Sequence, residues 1–327
     1  MARRPLAVRV LETPLVLFRE AGGEAVALVD RCAHRNAPLS LGRVQNGHIE
    51  CPYHGWQFDG SGECRHIPAL GQVKPTRARR VRTHPVREQQ GFVWVYATAH
   101  QDLGEPLEAE PFVFPYLDAP QYETAYYAMD MHAGVFATLE NILDVPHTAF
   151  LHRGLFRSGA RRQVEARIRR TGHGAEATFL GEARPGGLVG RVLAPVGGEV
   201  MHVDRFILPS IAQVEYALGQ HSHLLISNAL TPIDSETTRM HTVASLRLPL
   251  GSKLVRQLLT PLAKRIAKQD AWMLAAQSRN MRKFGGERFI STRADLLGPH
   301  ILRLLRSAAA GTGDHLEPFE KTVHLWL

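Results

Sequence analysis

The sequence predicts an α+β protein in two domains, a small all-β module followed by an antiparallel sheet that ends in a long helix. Three observations carry this reading. A chain of 327 residues exceeds what one hydrophobic core usually serves. Its first third is a series of short β-branched and aromatic stretches separated by glycine and asparagine turns. Beyond Gly251 the apolar residues change from alternation to helical spacing.

In order along the chain, Pro14 to Phe18, Ala25 to Val29 and Gly91 to Tyr96 read as strands of the first module. The stretch from His100 to Pro120, with Pro106, Pro111, Pro115 and Pro120, breaks any period and reads as a linker or extended connection. Alternation returns between about Gln163 and Leu248, as in Val200 to Ile207 and His241 to Leu248, which predicts an antiparallel sheet. Leu254, Leu258, Leu262 and Ile266 then fall on one helical face, and a second, shorter helix is expected between Asp295 and Ala309. Apolar residues such as Phe206 and Ile207 point to a hydrophobic cavity, with pocket walls drawn from positions between Tyr126 and Leu274.

Composition narrows the function classes. The net charge of +8 favours acidic partners, but no nucleic-acid recognition motif accompanies it, so no nucleic-acid partner is expected. No apolar run approaches the roughly 20 residues of a membrane-crossing helix. Met1 to Arg9 lacks the apolar centre of a signal peptide, and a cytoplasmic location is expected. Three cysteines are too few, and odd in number, for the disulfide framework of a secreted domain, which leaves metal binding or plain burial to explain them.

Cys32-Ala-His34 and Cys51-Pro-Tyr-His54 present two thiols and two imidazoles from two short loops, separated by sixteen residues. One Cys and one His per loop suits a [2Fe-2S] centre in which two cysteines hold one iron and two histidines the other. A Cys2His2 zinc site would use the same donors. Cys64 lies outside both loops and reads as a buried free thiol.

A second constellation occupies Glu140 to His152. Asn141, Asp144 and His147 are three apart, as on one side of a helix, and His152 is five further on. Two histidines five apart share a metal only if the helix is distorted between them, an irregularity that Pro146 favours. Together with a carboxylate they would suit a non-haem Fe(II) site with open positions. Asp270 continues the four-residue steps of the long helix onto its apolar, core-facing stripe, where a carboxylate needs a cation or metal. Asp295, just before Gly298-Pro299, is the alternative, although capping or solvation is enough to explain it.

The segments Cys32-Ala-His-Arg-Asn-Ala-Pro-Leu39 and Cys51-Pro-Tyr-His-Gly-Trp-Gln-Phe-Asp59, with Gly62 and Ile67-Pro68 after them, resemble the Rieske domain, and N-x2-D-x2-H-x4-H resembles the iron motif of the Rieske non-haem iron oxygenases. Respiratory-type Rieske proteins carry an extra cysteine in each loop. Ala37 and Tyr53 stand there instead, which resembles the lower-potential kind found in oxygenases and their ferredoxins. The resemblance implies an N-terminal Rieske domain over about residues 1–105 and a catalytic domain over 106–327 with a helix-grip fold, a curved antiparallel sheet around a long helix. It implies a [2Fe-2S] cluster on Cys32, His34, Cys51 and His54, and Fe(II) on His147, His152 and Asp270, with catalytic roles for Asn141 and Asp144. Asp144 would accept the outer N–H of the His147 imidazole and bridge to His34 or His54 of a neighbouring subunit, which calls for a ring of subunits, most simply a homotrimer.

Electrons would come from NAD(P)H through a ferredoxin or reductase, and O2 would be used to hydroxylate or oxidatively demethylate a fairly apolar organic substrate. Chain length is closer to the vanillate-demethylase-like and dicamba-monooxygenase-like branch than to ring dihydroxylases. Ring dihydroxylation, desaturation and pure electron transfer are the alternatives. Family members usually have a longer lead before the strand that begins near Leu15. The run Lys74, Arg77, Arg79, Arg80, Arg82 and Arg87 is either a docking face for an acidic redox partner or a solvated strand face.

Overall fold

The computed structural model describes residues 4–102, 109–153, 163–181, 200–218, 222–248, 252–312 and 316–326. Its contacts divide the chain between Val113 and Phe114. The expected boundary at 105/106 lies outside the described residues.

The first unit contains β1 (Leu6–Val10), β2 (Thr13–Arg19), β3 (Ala25–Val29), β4 (Arg43–Gln45), β5 (His48–Glu50), β6 (Gln57–Phe58), β7 (Cys64–Ile67), β8 (Gly71–Gln72), β9 (Thr83–His84), β10 (Val86–Gln89) and β11 (Phe92–Val95). These form a four-stranded sheet in the order β1-β2-β3-β9, a five-stranded meander from β4 to β8, and the hairpin β10-β11. The core between them holds Val16, Phe18, Leu28, Ile49 and Phe58, together with all three cysteines. At the β4-β5 hairpin, Asn46 and Gly47 both adopt left-handed backbone, and a Cβ on Gly47 would stand 2.4 Å from the Ala21 nitrogen. Strand β1 was not anticipated from the sequence. Its turn is made by Leu11 and Glu12 at φ 46° and 66°, residue types that give no turn signal.

The second unit opens with β12 (Glu123–Met131), α1 (Val135–Leu143) and the single turn α2 (Thr148–Leu151). Strands β13 (Gln163–Arg170), β14 (Gly174–Leu180), β15 (Val200–Ile207), β16 (Ile211–Leu218), β17 (Ser222–Pro232) and β18 (Thr238–Arg247) follow, then α3 (Ser252–Lys283), α4 (Gly298–Ala309) and β19 (Phe319–Trp326). The strands make one antiparallel sheet of eight in the order β12-β18-β17-β16-β15-β14-β13-β19. Helix α3 packs against β12 and β18, and α1 packs against β15, β16 and β17. The α+β class and the sheet-plus-long-helix plan are therefore as the sequence predicts.

Two local expectations change. The proline-rich stretch is not simply a linker, because Phe114 is 1% exposed and Tyr116 stacks on Tyr122 at 4.3 Å. Of the expected helical stripe, the side chains of Leu254 and Leu258 lie outside the described residues. The inward face of α3 is carried instead by Ala267, Asp270, Ala271 and Leu274, with Leu262 and Ile266 half-buried before them. Helix α4 places Ile301 and Leu304 at 0% exposure in the same core. Truncating Leu304 to Ala should lower the stability of this unit by about 2–5 kcal/mol in urea unfolding, and a loss under about 0.5 kcal/mol would contradict the packing.

Candidate metal centres

The two cysteine loops have one conformation used twice. In the first, the Cys32 amide donates to the Ala37 carbonyl at 2.9 Å and the Asn36 amide to the Cys32 carbonyl at 3.0 Å. In the second, the Cys51 amide donates to the Trp56 carbonyl at 2.8 Å and the Gly55 amide to the Cys51 carbonyl at 3.0 Å. The fifth residue of each loop, Asn36 or Gly55, is left-handed, with φ 62° and 70°. These closures turn Cys32 and Cys51 inward, where they are 1% and 2% exposed, and bring the His34 and His54 rings to 4.6 Å between centroids. Trp56 stacks on His34 at 4.6 Å, with only 4° between the planes.

The donor chemistry asks for a metal. Burial pushes the Cys32 thiol up to about 11, and the neighbouring Cys51 adds to the shift. A thiolate pair is stable there only against a cation. Burial and the nearby His54 and Arg35 hold the His34 ring below its ordinary value, which keeps it neutral, as a ligand must be. His34 Nδ1 is buried with no hydrogen-bond partner, an orphan that a metal would satisfy. These residues fit an iron–sulfur cluster. Cys64, at 1% exposure, directs its sulfur to the His66 carbonyl at 3.7 Å and belongs to the core.

In the second unit the expected continuous helix through Asn141, Asp144 and His147 is absent. Helix α1 ends at Leu143, and Asp144 is extended at φ −93° and ψ 105°. Pro146 explains the break, because it disfavours helical backbone at Val145 and has no N–H to continue the ladder. The irregularity thus falls ahead of His147, while the stretch between the two histidines is the short helix α2, with His147 at its N-cap and His152 at its C-cap. That single turn leaves both rings facing α3.

There His147 Nε2, His152 Nε2 and Asp270 Oδ1 form a small triangle with sides of 3.3, 3.1 and 3.5 Å. Donors about 2.0–2.2 Å from a metal stand roughly 3 Å apart when they occupy adjacent octahedral corners, so these three atoms fit one face of an iron site. The ligand atoms all lie within 4.8 Å of one another, close enough to share a single metal ion. Asp295 is elsewhere engaged, accepting from the Thr292 hydroxyl at 3.0 Å in a turn ahead of α4.

Each ligand candidate is gripped from behind. His147 Nδ1 meets the Asp144 backbone carbonyl and lies 3.3 Å from its Oδ2, which also accepts the His147 amide at 3.2 Å. Burial lowers the His147 ring, but the hydrogen bonds to Asp144 and Asp270 outweigh it and hold the ring up at about 9. Burial raises Asp270, yet the two histidines hold it below the usual carboxylate range. Asn141 Nδ2 reaches Asp270 Oδ1 at 3.5 Å. His152, 2% exposed, turns Nδ1 to Gln269 Oε1 at 2.9 Å. Sequence reasoning gave Gln269 no role. The available signal was a carboxamide next to the inward carboxylate of a buried helix face.

A β module presenting a Cys2His2 loop pair is thus followed by a sheet and helix that gather two histidines and a carboxylate, which offers one donor set for an iron–sulfur cluster and another for a mononuclear metal. Residues 1–84 match the Rieske [2Fe-2S] domain and residues 131–311 match the vanillate O-demethylase oxygenase C-terminal domain. The chain therefore belongs to the vanillate O-demethylase family of Rieske oxygenases, whose cofactors are a Rieske [2Fe-2S] cluster and a mononuclear iron. It is 33% identical over 171 residues to the dicamba O-demethylase oxygenase component of Stenotrophomonas maltophilia, which is 51% of this chain and 48% of that one. It is 38% identical over 154 residues to the 4β-methylsterol monooxygenase of Methylococcus capsulatus, 45% of this chain and 39% of that one. The chain spans about half the length of the curated relatives it matches or less. A crystal structure of dicamba monooxygenase bound to dicamba superposes with TM-score 0.77 at 25% identity, covering 94% of each chain.

Two substitutions test the triad. Asp270→Ala should keep the cluster absorption and lose mononuclear iron on metal analysis, while Asp295→Ala should keep both; the opposite result would move the ligand to Asp295. Gln269→Ala should weaken iron binding about 10–100-fold without unfolding the chain, as measured by chelator competition.

Proposed function

We propose that the chain is the terminal component of a monooxygenase that inserts one atom of O2 into an organic substrate by hydroxylation or oxidative demethylation. The observation that carries this is the convergence of His147, His152 and Asp270 in a chain that also presents a cluster-binding loop pair. A pure electron carrier has no use for the second site. The relatives, an O-demethylase and a methylsterol monooxygenase, support oxidation at a methyl-bearing position.

When bound, the cluster supplies single electrons and the iron activates O2. In this reading Cys32, Cys51, His34 and His54 would hold the cluster, and His147, His152 and Asp270 would hold the iron. Asp144 fixes the His147 ring by holding Nδ1, so that Nε2 stays aimed at the metal, and Gln269 does the same for His152. Asn141 restrains the Asp270 carboxylate.

Electrons come from NAD(P)H through a ferredoxin or reductase. Lys74, Arg77 and Arg87 are exposed and suit an acidic donor, whereas Arg79 donates to Thr76 and Lys74 backbone or hydroxyl oxygens, Arg80 to the Ser61 carbonyl, and Arg82 pairs with Asp102. The half-exposed Asp144 carboxylate supports transfer to the iron from the cluster of a neighbouring subunit, in a ring that is most simply a homotrimer. No helix among the described residues is long and apolar enough to cross a membrane.

Asp144→Asn should fold, keep its cluster and most of its iron, and slow transfer out of the reduced cluster at least about tenfold, or about 1.4 kcal/mol in the barrier. Single-turnover oxidation of the reduced cluster with O2 and substrate measures this. A wild-type rate would refute the bridging role, and absence of a labelled oxygen atom from O2 in both the hydroxylated product and, for demethylation, the promptly trapped formaldehyde would refute the monooxygenase reading.

A further inference from the structure

The two histidines of the loop pair stand in unlike surroundings. His54 is exposed, and the ring beside it, Tyr53, is tilted by 39° and is itself 66% exposed. His34 is half-buried, and the Trp56 indole lies over one of its faces, 4.6 Å away and parallel within 4°. Water is therefore kept from one face of His34 by an aromatic plane, while His54 opens to solvent.

Trp56 reaches His34 from the other loop, and the local backbone explains how. Gly55 is left-handed, and a Cβ there would stand 2.8 Å from Pro68 Cγ, so the chain reverses tightly just before Trp56. The Trp56 carbonyl then accepts the Cys51 amide at 2.8 Å, and the next residue enters β6, where Gln57 Nε2 donates to Glu50 Oε2 at 2.9 Å. The indole packs against the core of the first unit, with the Phe58 ring at 6.5 Å. Its place is set by its own loop and by the core, so the His34 ring lies against a fixed surface. One residue thus ties the backbone of Cys51 to the histidine of the opposite loop.

This contact bears on a group whose charge changes. Two ferric ions, two sulfides, two thiolates and two neutral imidazoles carry no net charge together, and one added electron leaves a single negative charge. Apolar surface in place of water beside a ligand solvates that charge less well. The face of the indole is negative, and it opposes electron density shared with the parallel imidazole. Both effects disfavour reduction.

We propose that Trp56 is a positioning residue for the cluster, fixing the plane of the His34 ring and, by covering it, holding the reduction potential low. The proposal rests on the reading that Cys32, His34, Cys51 and His54 hold the cluster. Tyr53, beside the open histidine, has no comparable effect.

The test is redox titration of the cluster in the whole, metal-loaded protein at neutral pH, followed by visible absorption and by the rhombic resonance of the reduced form. Trp56→Leu should keep its acid-labile sulfide, alter the resonance, and raise the reduced-to-oxidised ratio at a fixed potential at least about threefold, or about 28 mV for one electron. Trp56→Phe, which keeps a smaller ring on His34, should fall between the leucine variant and the wild type and recover the wild-type resonance. Tyr53→Leu should stay within about twofold of the wild type. Should the leucine variant fail to assemble its cluster, Trp56→Met, apolar and without a π face, takes its place. A potential at or below the wild-type value in a cluster-bearing leucine or methionine variant would overturn the proposal. So would a phenylalanine variant outside that interval, or a Tyr53→Leu shift as large as that of Trp56→Leu. The ligand reading fails separately, since a normal cluster in His34→Ala would remove it whatever the Trp56 variants show.

Discussion

Asp270 sits on the inward face of a helix whose neighbouring positions are Ala267, Ala271 and Leu274, and a carboxylate in such surroundings is costly unless a cation meets it. In the structure the partners are two imidazoles, and hydrogen bonds to Asp144 and Asp270 hold the His147 ring above its ordinary value. That arrangement explains much of the local architecture. Helix α1 must stop early and the chain must turn at Pro146 so that His147 and His152 both face α3, and the long helix must lie across β12 and β18 to deliver Asp270 to them. Asp144, Gln269 and Asn141 then hold the three side chains in place.

The same logic governs the first unit on a smaller scale. Two buried thiols and an orphaned imidazole nitrogen are poor choices for a core of this size, whose other members are aliphatic and aromatic. They become favourable once metal replaces the missing hydrogen bonds and the missing positive charge. Metal loading should therefore stabilise both units, the first by satisfying His34 Nδ1 and the buried thiols, the second by adding a cation to the Asp270 cluster.

The motif spacings made the cluster loops, both histidines and the fold class legible, because ligand identity and turn chemistry are local properties. The apolar stripe marked Asp270 as an inward-facing carboxylate, and the structure sets it against the two histidines while Asp295 closes a turn with Thr292. What the sequence hid depends on register and long-range contact. Tyr126 and Tyr127 are adjacent and alike, yet the first is 55% exposed on the outer face and the second packs against the core, since one residue of register exchanges the faces. Phe206 and Ile207 divide in the same way, with Phe206 at 1% exposure in the core. Gln269 and the His202–Asp204 pair gain their partners from tertiary structure or from alternation across a strand, neither of which has a sequence signature of its own. The break at Val145 was anticipated in kind and misplaced in position, because a proline acts on the residue before it.

If the carboxylate on α3 and the two histidines after α1 hold an iron separate from the cluster, the chain carries more iron than the cluster alone accounts for. Iron analysis of the purified, anaerobically loaded protein, with the cluster quantified independently by acid-labile sulfide, tests this most directly. About three iron atoms per chain against about two sulfides is the predicted result, and about two iron atoms per two sulfides would contradict it.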